Sequence, residues 1–162
     1  AHHFGSKADL WHAVVDEVAK THQALQRELN ELKSTDQPLV RRVTSVLDRM
    51  VEHLANQPET IMFITREISV PGERLDYLIE QLIRPGFDVC VPLWREAMDE
   101  GLLRPSNPVV LHMGLFSAVA MILSSRHIIV QLGGGDISIE QLKTEIHISL
   151  LGNTPPRVTT TP

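Results

Sequence analysis

Apolar residues recur along this chain at the spacing of one face of an α-helix. From Ser6 to about Lys33 they are separated by three, four and in one place seven residues, and this pattern predicts a single long helix. Its predicted buried stripe consists of Leu10, Val14, Val18, Leu25, Leu29 and Leu32. A run of turn-forming residues, Ser34-Thr35-Asp36-Gln37-Pro38, then ends this helix and starts a second one.

Prolines divide the middle of the chain. Asn56-Gln57-Pro58 breaks it before a short apolar helix, which ends at Val70-Pro71-Gly72. The next helical segment covers about residues 73–100 and contains Pro85 and Pro92. Since each proline removes an amide donor and crowds the preceding turn, we expect two helical pieces or a kinked helix here.

Two more helices are predicted toward the C-terminal end. The first covers residues 108–132 and is apolar around most of its circumference. After the turn Gly133-Gly134-Gly135, the last helix covers about residues 138–151, and Ser138 and Gln141 at its start have the spacing of a capping box. Because no segment alternates apolar and polar residues as a strand does, we predict an all-α fold, a bundle of about six helices.

Composition and charge narrow the function classes. The 162 residues suffice for one domain, which we place at residues 6–151, followed by a loose tail at 152–162 with little apolar content. A net charge of −5 argues against an extended surface for binding nucleic acid. The single Cys90 cannot form a disulfide within the chain, and no secretory leader is visible, so we expect a cytoplasmic protein. Because His112 and Arg126 interrupt the most apolar stretch, we expect no membrane span.

The first ten residues carry the most specific motif in the chain. In residues 2–10, His-His-Phe-Gly-Ser-Lys-Ala-Asp-Leu, a helix end is followed by a glycine break and the start of the next helix. Ser6 is expected to accept a hydrogen bond from the amide of Asp9, and the Asp9 carboxylate is expected to accept one from the amide of Ser6. Lys7 lies in the exposed first turn, where backbone amides and an ammonium group together attract an anion.

This motif resembles the Tyr-Tyr-His-Phe-x-Ser-Lys-x-x-Leu signature of the tetracycline-repressor (TetR-like) family of transcription regulators. The matching positions are His3, Phe4, Ser6, Lys7 and Leu10. Ala1 stands where the family has its first tyrosine, and His2 stands where it has the second. Residues 100–108, Glu-Gly-Leu-Leu-Arg-Pro-Ser-Asn-Pro, are also similar to the Gly-x-Leu-Arg-Pro-x-x-Pro step before the eighth helix of many members.

The resemblance implies that this chain is the body of a helix-turn-helix regulator. Residues 1–5 would be the remnant of its DNA-recognition helix, with His2, His3 and Lys7 contacting DNA phosphates, and the other DNA-binding helices would lie before Ala1. The body would bind a small-molecule effector among the family's fifth to eighth helices and form a homodimer through its last two helices. Operator DNA would be bound only through the missing N-terminal domain, and the effector would alter that binding, most commonly in a repressor.

Soft and aromatic residues are concentrated in the predicted middle helices. Pockets for small molecules are mostly apolar with a few converging polar groups, and methionine adapts to irregular shapes. We therefore predict a pocket for a small apolar or aromatic ligand, lined by Met50, His53, Met62, Phe63, Arg66, Phe87, Trp94, Met113, Phe116 and Met121. His112 is a further candidate polar anchor. The alternative interpretation is that most of these side chains only fill the core.

The last two predicted helices have more apolar surface than one subunit needs. An apolar patch left in water is a liability, and small residues in the penultimate helix would let a second helix approach closely. We therefore predict a homodimer interface formed by Gly114, Ser117, Ala118, Ser124, Ile139, Leu142, Ile146 and Leu150.

The sequence contains no catalytic or metal-binding pattern. It has no Gly-x-Ser-x-Gly elbow, no glycine-rich phosphate loop after a strand, no Cys-x-x-Cys and no pair of histidines four residues apart. We therefore expect no enzymatic activity, no metal and no cofactor. The alternative to a regulator is a stand-alone helical ligand carrier or protein-interaction module that does not bind DNA.

Overall fold

The computed structural model describes residues 5–152, and within them every regular element is helical. The elements are α1 (Lys7–Lys33), α2 (Leu39–Ala55), α3 (Pro58–Glu67), α4 (Glu73–Leu78), α5 (Arg84–Asp99), α6 (Pro108–Ser124), α7 (Arg126–Gln131) and α8 (Ile139–Leu151). A π-helical turn, Ile79–Ile83, joins α4 to α5. The predicted all-α fold is confirmed for the described part of the chain, whereas all of the predicted tail beyond Gly152 lies outside it. Of the helices in residues 5–152, none is long and apolar enough to cross a membrane.

Side-chain caps fix the starts of several helices. Ser6 accepts a hydrogen bond from the amide of Asp9 at 3.1 Å, as predicted, but the reciprocal bond from the Ser6 amide is not formed within residues 5–152. Ser138 and Gln141 form the complete predicted capping box at the start of α8. Asn107 caps α6 by accepting from the first two free amides after Pro108. These caps satisfy amide donors that have no partner inside the helix.

The buried face of α1 differs from the predicted face over the N-terminal half of the helix. Leu10 and Val14 are exposed there, while Trp11 and Val15 are buried. From Trp11 onward, the inward positions follow spacings of four and three residues through Val18 and beyond. The prediction was wrong at Leu10 and Val14 because side chains of α3, α4 and the π-turn pack with Trp11 and Val15, one position further along the helix.

The predicted break within residues 73–100 occurs just before Pro85. Pro85 has no amide hydrogen to donate to the carbonyl four residues earlier, and the preceding backbone widens into the π-turn. In this turn the amide of Arg84 donates to the carbonyl of Ile79, five residues back. Pro92 lies inside α5 without interrupting it. The segment therefore consists of two helical pieces joined by a wide turn, which is one of the two predicted alternatives.

The predicted helix over residues 108–132 consists of two helices, α6 and α7. Ser125 between them has φ −128° and ψ 28°, outside the helical range. The hydroxyl of Ser124 donates to the carbonyl of Ala120 at 2.7 Å, and serine side chains that bond to the preceding turn in this way destabilise a helix. The single long apolar rod expected from the sequence was therefore wrong beyond Ser124.

Two hydrophobic clusters hold the helices together. The small cluster consists of Trp11, Val15, Ile64, Leu78 and Leu82. The large cluster consists of Leu25, Leu29, Val43, Val46, Leu47, Val51, Leu54, Ile61, Val89, Cys90, Val91, Leu93, Trp94, Ala97, Leu103, Val119, Ala120, Leu142 and Ile146. α1 contributes to both clusters, with its N-terminal half in the small one and its C-terminal half in the large one.

Helix α8 packs on α2. Leu142 and Ile146 belong to the large cluster, and Lys143 beside them binds Glu52 of α2 at 2.5 Å and Glu140 at 2.9 Å. These two carboxylates raise the pKa of Lys143 to about 12. Leu142 and Ile146, which were predicted as dimer contacts, are therefore buried within the core of the chain itself.

The inward packing of α8 predicts a large stability loss for Leu142→Ala. Leu142 is only 1% exposed, so truncation leaves a cavity in the large cluster and should cost about 2–5 kcal/mol of unfolding free energy. Thr144→Ala, on the exposed side of the same helix, should change it by less than about 0.5 kcal/mol. Urea denaturation at several protein concentrations measures both. A cost for Leu142→Ala that appears only at high protein concentration would contradict the packing described here and favour an interface role.

Candidate functional site

A largely apolar cavity of about 600 Å³ lies between the two hydrophobic clusters. This volume is within the range of cavities that hold small molecules. The cavity wall is formed by His22, Leu25, Leu29, Met50, His53, Leu54, Ile64, Thr65, Ile68, Leu82, Ile83, Gly86, Phe87, Cys90, His112, Met113, Phe116, Ser117, Ala120, Met121 and Ser124. No lysine, arginine, aspartate or glutamate is among these residues.

The structure brings several of the predicted pocket residues together. The cavity wall includes Met50, His53, Phe87, Met113, Phe116 and Met121, as well as the candidate anchor His112. They come from α2 and from the two consecutive helices α5 and α6. Met121 is about two-thirds exposed and Met113 less so, which places the opening of the cavity beside the outer side of α6.

Four predicted pocket residues lie elsewhere, and their prediction as wall residues was wrong. On α3, Ile64 and Thr65 line the cavity, so Met62 and Arg66, four residues apart on another side of the helix, are exposed instead. Phe63 packs against Trp11, with their ring centroids 6.3 Å apart. Trp94 is fully buried in the large cluster, behind the cavity wall.

The sequence analysis missed His22, which lines the cavity together with Leu25 and Leu29 of α1. His22 lies between Val18 and Leu25, at the one place where the predicted apolar stripe skips seven residues. A helix seam requires an inward residue about four positions after Val18, and the chain has a histidine there. The gap in the stripe was therefore the signal that could have identified it.

His22 and His53 form a hydrogen-bonded pair of neutral imidazoles at the α1–α2 side of the cavity. Nδ1 of His22 donates to the carbonyl of Val18 at 2.9 Å, which leaves Nε2 of His22 as an acceptor. Nε2 of His53, 3.2 Å away, is then the donor between the two rings. Burial lowers the pKa of His53 to about 4, with a further contribution from His22, and burial also lowers the pKa of His22.

His112 lies at the α5–α6 side of the cavity and is held by two aromatic side chains. The indole Nε1 of Trp94 donates to Nδ1 of His112 at 3.0 Å. The ring of Phe87 stands edge-on to the imidazole, with the centroids 4.4 Å apart. Burial lowers the pKa of His112 to about 4, so the ring is neutral at pH 7.

The other reactive side chain in the wall is Cys90. Burial raises the pKa of its thiol to about 12, and the thiol donates to the sulfur of Met50 at 3.9 Å. A thiol that stays protonated is neither a nucleophile nor a good metal ligand. Within residues 5–152, no three histidine, cysteine, aspartate or glutamate side chains are placed to hold a metal ion together. The arrangement is suited to binding an uncharged molecule.

The cavity and the N-terminal half of α1 share part of their packing. Ile64 and Leu82 line the cavity and also belong to the small cluster, where they pack with Trp11 and Val15 of α1. Phe116, another wall residue, packs against both clusters. The cavity wall and the N-terminal half of α1 are therefore linked by side chains in direct contact.

One of the three residues predicted to contact DNA phosphates, Lys7, lies in the described part of the chain. Lys7 is the first residue of α1 and is exposed, as expected. His2 and His3 lie outside the described residues, as does most of the predicted remnant of a recognition helix at 1–5.

The predicted dimer residues are divided between three environments. Gly114 and Ala118 are exposed on the outer side of α6, whereas Ser117 and Ser124 of the same helix also line the cavity. Ile139 and Leu150 are partly buried against the large cluster of their own subunit. On α8, the main apolar residue that is exposed and could contact a partner is therefore Ile148.

Comparisons of the chain with models of known protein families, with curated proteins and with solved structures found no match.

The lowered pKa of His112 predicts that stability falls with acidification. The folded protein binds this proton only near pH 4, whereas the unfolded chain binds it near pH 6.5, so protons favour unfolding between these values. The contribution of His112 to the free energy of unfolding is fully present above about pH 6.5. Between pH 7 and pH 5, His112 should account for a loss of about 2 kcal/mol. Urea denaturation of the wild type and His112→Phe at both pH values measures it.

In that comparison, only the change between the two pH values is used. His112→Phe also leaves the Trp94 indole without its acceptor, and this lowers stability at both pH values. His22 and His53 are present in both proteins and contribute equally to both. An equal loss between pH 7 and pH 5 in the two proteins would contradict the assignment to His112.

Proposed function

We propose that this chain is the effector-binding and dimerisation body of a TetR-like transcriptional regulator. The observation that carries the proposal is the apolar cavity between the two clusters, whose wall includes His22, Leu25 and Leu29 of α1. The motif from His3 to Leu10 and the step at residues 100–108 support it from the sequence side. In this proposal the protein is not an enzyme, is located in the cytoplasm and binds a small apolar or aromatic molecule.

The proposed mechanism follows from the packing around α1. An effector that fills the cavity presses on Ile64 and Leu82 and so changes how the small cluster holds Trp11. α1 is one continuous helix about 40 Å long, so a small tilt at its cavity segment becomes a larger displacement at its N-terminal end. The effector acts by binding one orientation of α1 more tightly than the other. DNA-binding units attached to two such ends must match half-sites about 34–36 Å apart, and a tilt disturbs this match.

The second part of the proposal is a homodimer formed through the outer side of α6. This helix contains no charged residue, and Val110 and Met121 on its outer side are each about two-thirds exposed. Gly114 and Ala118 between them would allow another helix to approach closely. A second copy of the chain offers the same uncharged surface, so a twofold contact brings no like charges together. Ile148 of α8 would extend the contact.

The dimer proposal is tested with Ala118→Arg and the matched variant Ala24→Arg. Both alanines are exposed, and Ala24 lies on α1 away from the proposed interface. Burying an unpaired guanidinium in the dimer should cost about 3–5 kcal/mol, so Ala118→Arg should have the monomer mass of 18.2 kDa by light scattering at micromolar concentration. The wild type and Ala24→Arg should have twice that mass. A monomeric wild type would overturn the proposed interface.

The regulatory function is tested with protein expressed from the complete reading frame that encodes this chain. Selection from a pool of random DNA duplexes should enrich a site with two half-sites in inverted orientation, because a twofold dimer binds both alike. Benzophenone, a small aromatic probe, should weaken binding to the selected duplex in an electrophoretic mobility-shift assay. Failure to enrich any site would overturn the regulator and favour the ligand-carrier alternative.

Two matched core variants test the proposed path to α1. Val15→Ala loosens the small cluster and should reduce the effect of benzophenone on DNA binding, since this cluster carries the displacement to α1. Val43→Ala makes the same change at an equally buried position in the large cluster, away from that path, and should preserve the effect. Thermal stabilisation by benzophenone measures whether each variant still binds it. Equal effects of the two variants would contradict the path.

A further inference from the structure

The hydrogen-bonding groups in the cavity wall are few, and most are already used. The hydroxyls of Thr65 and Ser124 donate to carbonyls of their own helices, at 2.9 and 2.7 Å. The Cys90 thiol is directed to Met50, and Ser117 is an exposed residue of the wall. Apart from Ser117, the imidazoles are therefore the side chains that can offer a ligand a polar contact.

The His22–His53 pair leaves no N–H group for a ligand. The N–H of His22 is donated to the Val18 carbonyl, and the N–H of His53 is donated to His22. Each neutral imidazole carries only one N–H, so both donors are consumed within the wall. A ligand at this side of the cavity meets ring carbons and lone pairs.

His112 differs because its partner fixes the opposite tautomer. An indole N–H can only donate, so Nδ1 of His112, which accepts from Trp94, carries no hydrogen. The hydrogen of the neutral ring is then on Nε2. Among the described residues, Nε2 has no hydrogen-bond partner. It is also not fully buried, so another molecule can reach it. Since His112 lines the cavity, this unpartnered Nε2–H is available to a ligand there.

We infer that the cavity selects an uncharged, mainly apolar molecule with one hydrogen-bond acceptor, such as a ketone, which accepts from Nε2–H of His112. Trp94 is the positioning residue, because its indole holds the imidazole in the donating tautomer. The same wall rejects carboxylates, since no cation lines it to compensate for the loss of their hydration. This inference rests on the proposed ligand-binding function and specifies the chemical class of the ligand.

Three probes with one diphenyl frame separate these effects: benzophenone, diphenylmethane and diphenylacetate. Isothermal titration calorimetry at pH 7 measures their affinities for the dimeric protein. One neutral hydrogen bond to an enclosed donor should make benzophenone bind about threefold to tenfold more tightly than diphenylmethane. Diphenylacetate should bind at least about a hundredfold more weakly than benzophenone, because its charge is buried without a partner.

Variants of His112 test whether it supplies the donor. His112→Phe keeps an aromatic ring without the donor and should abolish the preference for benzophenone over diphenylmethane. His112→Gln, whose amide NH₂ occupies nearly the place of Nε2, should restore part of it. His12→Phe makes the same change at a histidine of α1 that does not line the cavity, and it should leave the preference unchanged. A preference that survives His112→Phe would overturn the inference.

The tautomer is tested without any ligand. In a ¹⁵N–¹H correlation spectrum of the histidine rings at pH 7, Nε2 of His112 should have the shift of a protonated ring nitrogen and Nδ1 that of an unprotonated one. In Trp94→Phe the indole donor is absent, so both tautomers should be populated and the preference for benzophenone should decrease. The reverse assignment in the wild type, with the hydrogen on Nδ1, would overturn the inference.

Failure of the inference is distinguishable from failure of the proposed function. Equal affinities for benzophenone and diphenylmethane overturn the inference, whichever tautomer of His112 the spectrum shows. The proposed function as an apolar ligand-binding protein then still stands. Tight binding of diphenylacetate overturns the exclusion of anions. If none of the three probes binds or raises the melting temperature, the proposed ligand-binding function itself is overturned, and the inference with it.

Discussion

The structure depends on a single seam of α1 that has to pack against two separate hydrophobic clusters. Trp11 and Val15 enter the small cluster, and Leu25 and Leu29 enter the large one. Between them the seam position is His22, which lines the cavity. The same continuous helix thus contributes to both clusters and, through His22, Leu25 and Leu29, to the cavity wall.

The low tolerance of an apolar space for charge explains the chemistry of the cavity. Each wall imidazole has a lowered pKa and the wall thiol a raised one, so every titratable side chain in the wall is held in its uncharged form at neutral pH. Charged side chains are placed on the outside, as in the pair of Arg49 with Glu28 across α1 and α2. Binding selectivity in such a space comes from the direction of a few dipoles rather than from ion pairing.

The sequence predicted where most helices begin and end, but it did not predict which side of each helix is buried. Prolines, glycines and capping residues such as Ser138 predicted most helix ends, because these act through local backbone chemistry. Which face is buried depends on what packs there, and periodicity alone chose Leu10 where the structure buries Trp11. In the same way, α3 turns Met62 and Arg66 outward although their chemistry suits a pocket. The tautomer of His112 depends on a partner 18 residues away in sequence, which no local pattern reveals.

The π-turn at Ile79–Ile83 sets the rotation of α4 relative to α5. A π-turn holds one residue more than the corresponding α-helical turn, which corresponds to about 100° of rotation about the helix axis. With this rotation, Leu78 is enclosed beside Trp11 and the hydroxyl of Tyr77 reaches the carboxylate of Asp16. A chain shortened by one residue here would keep its composition and nearly all its helical content, yet α4 would turn a polar side toward α1. The length of this connection therefore determines which side chains of α4 enter the core.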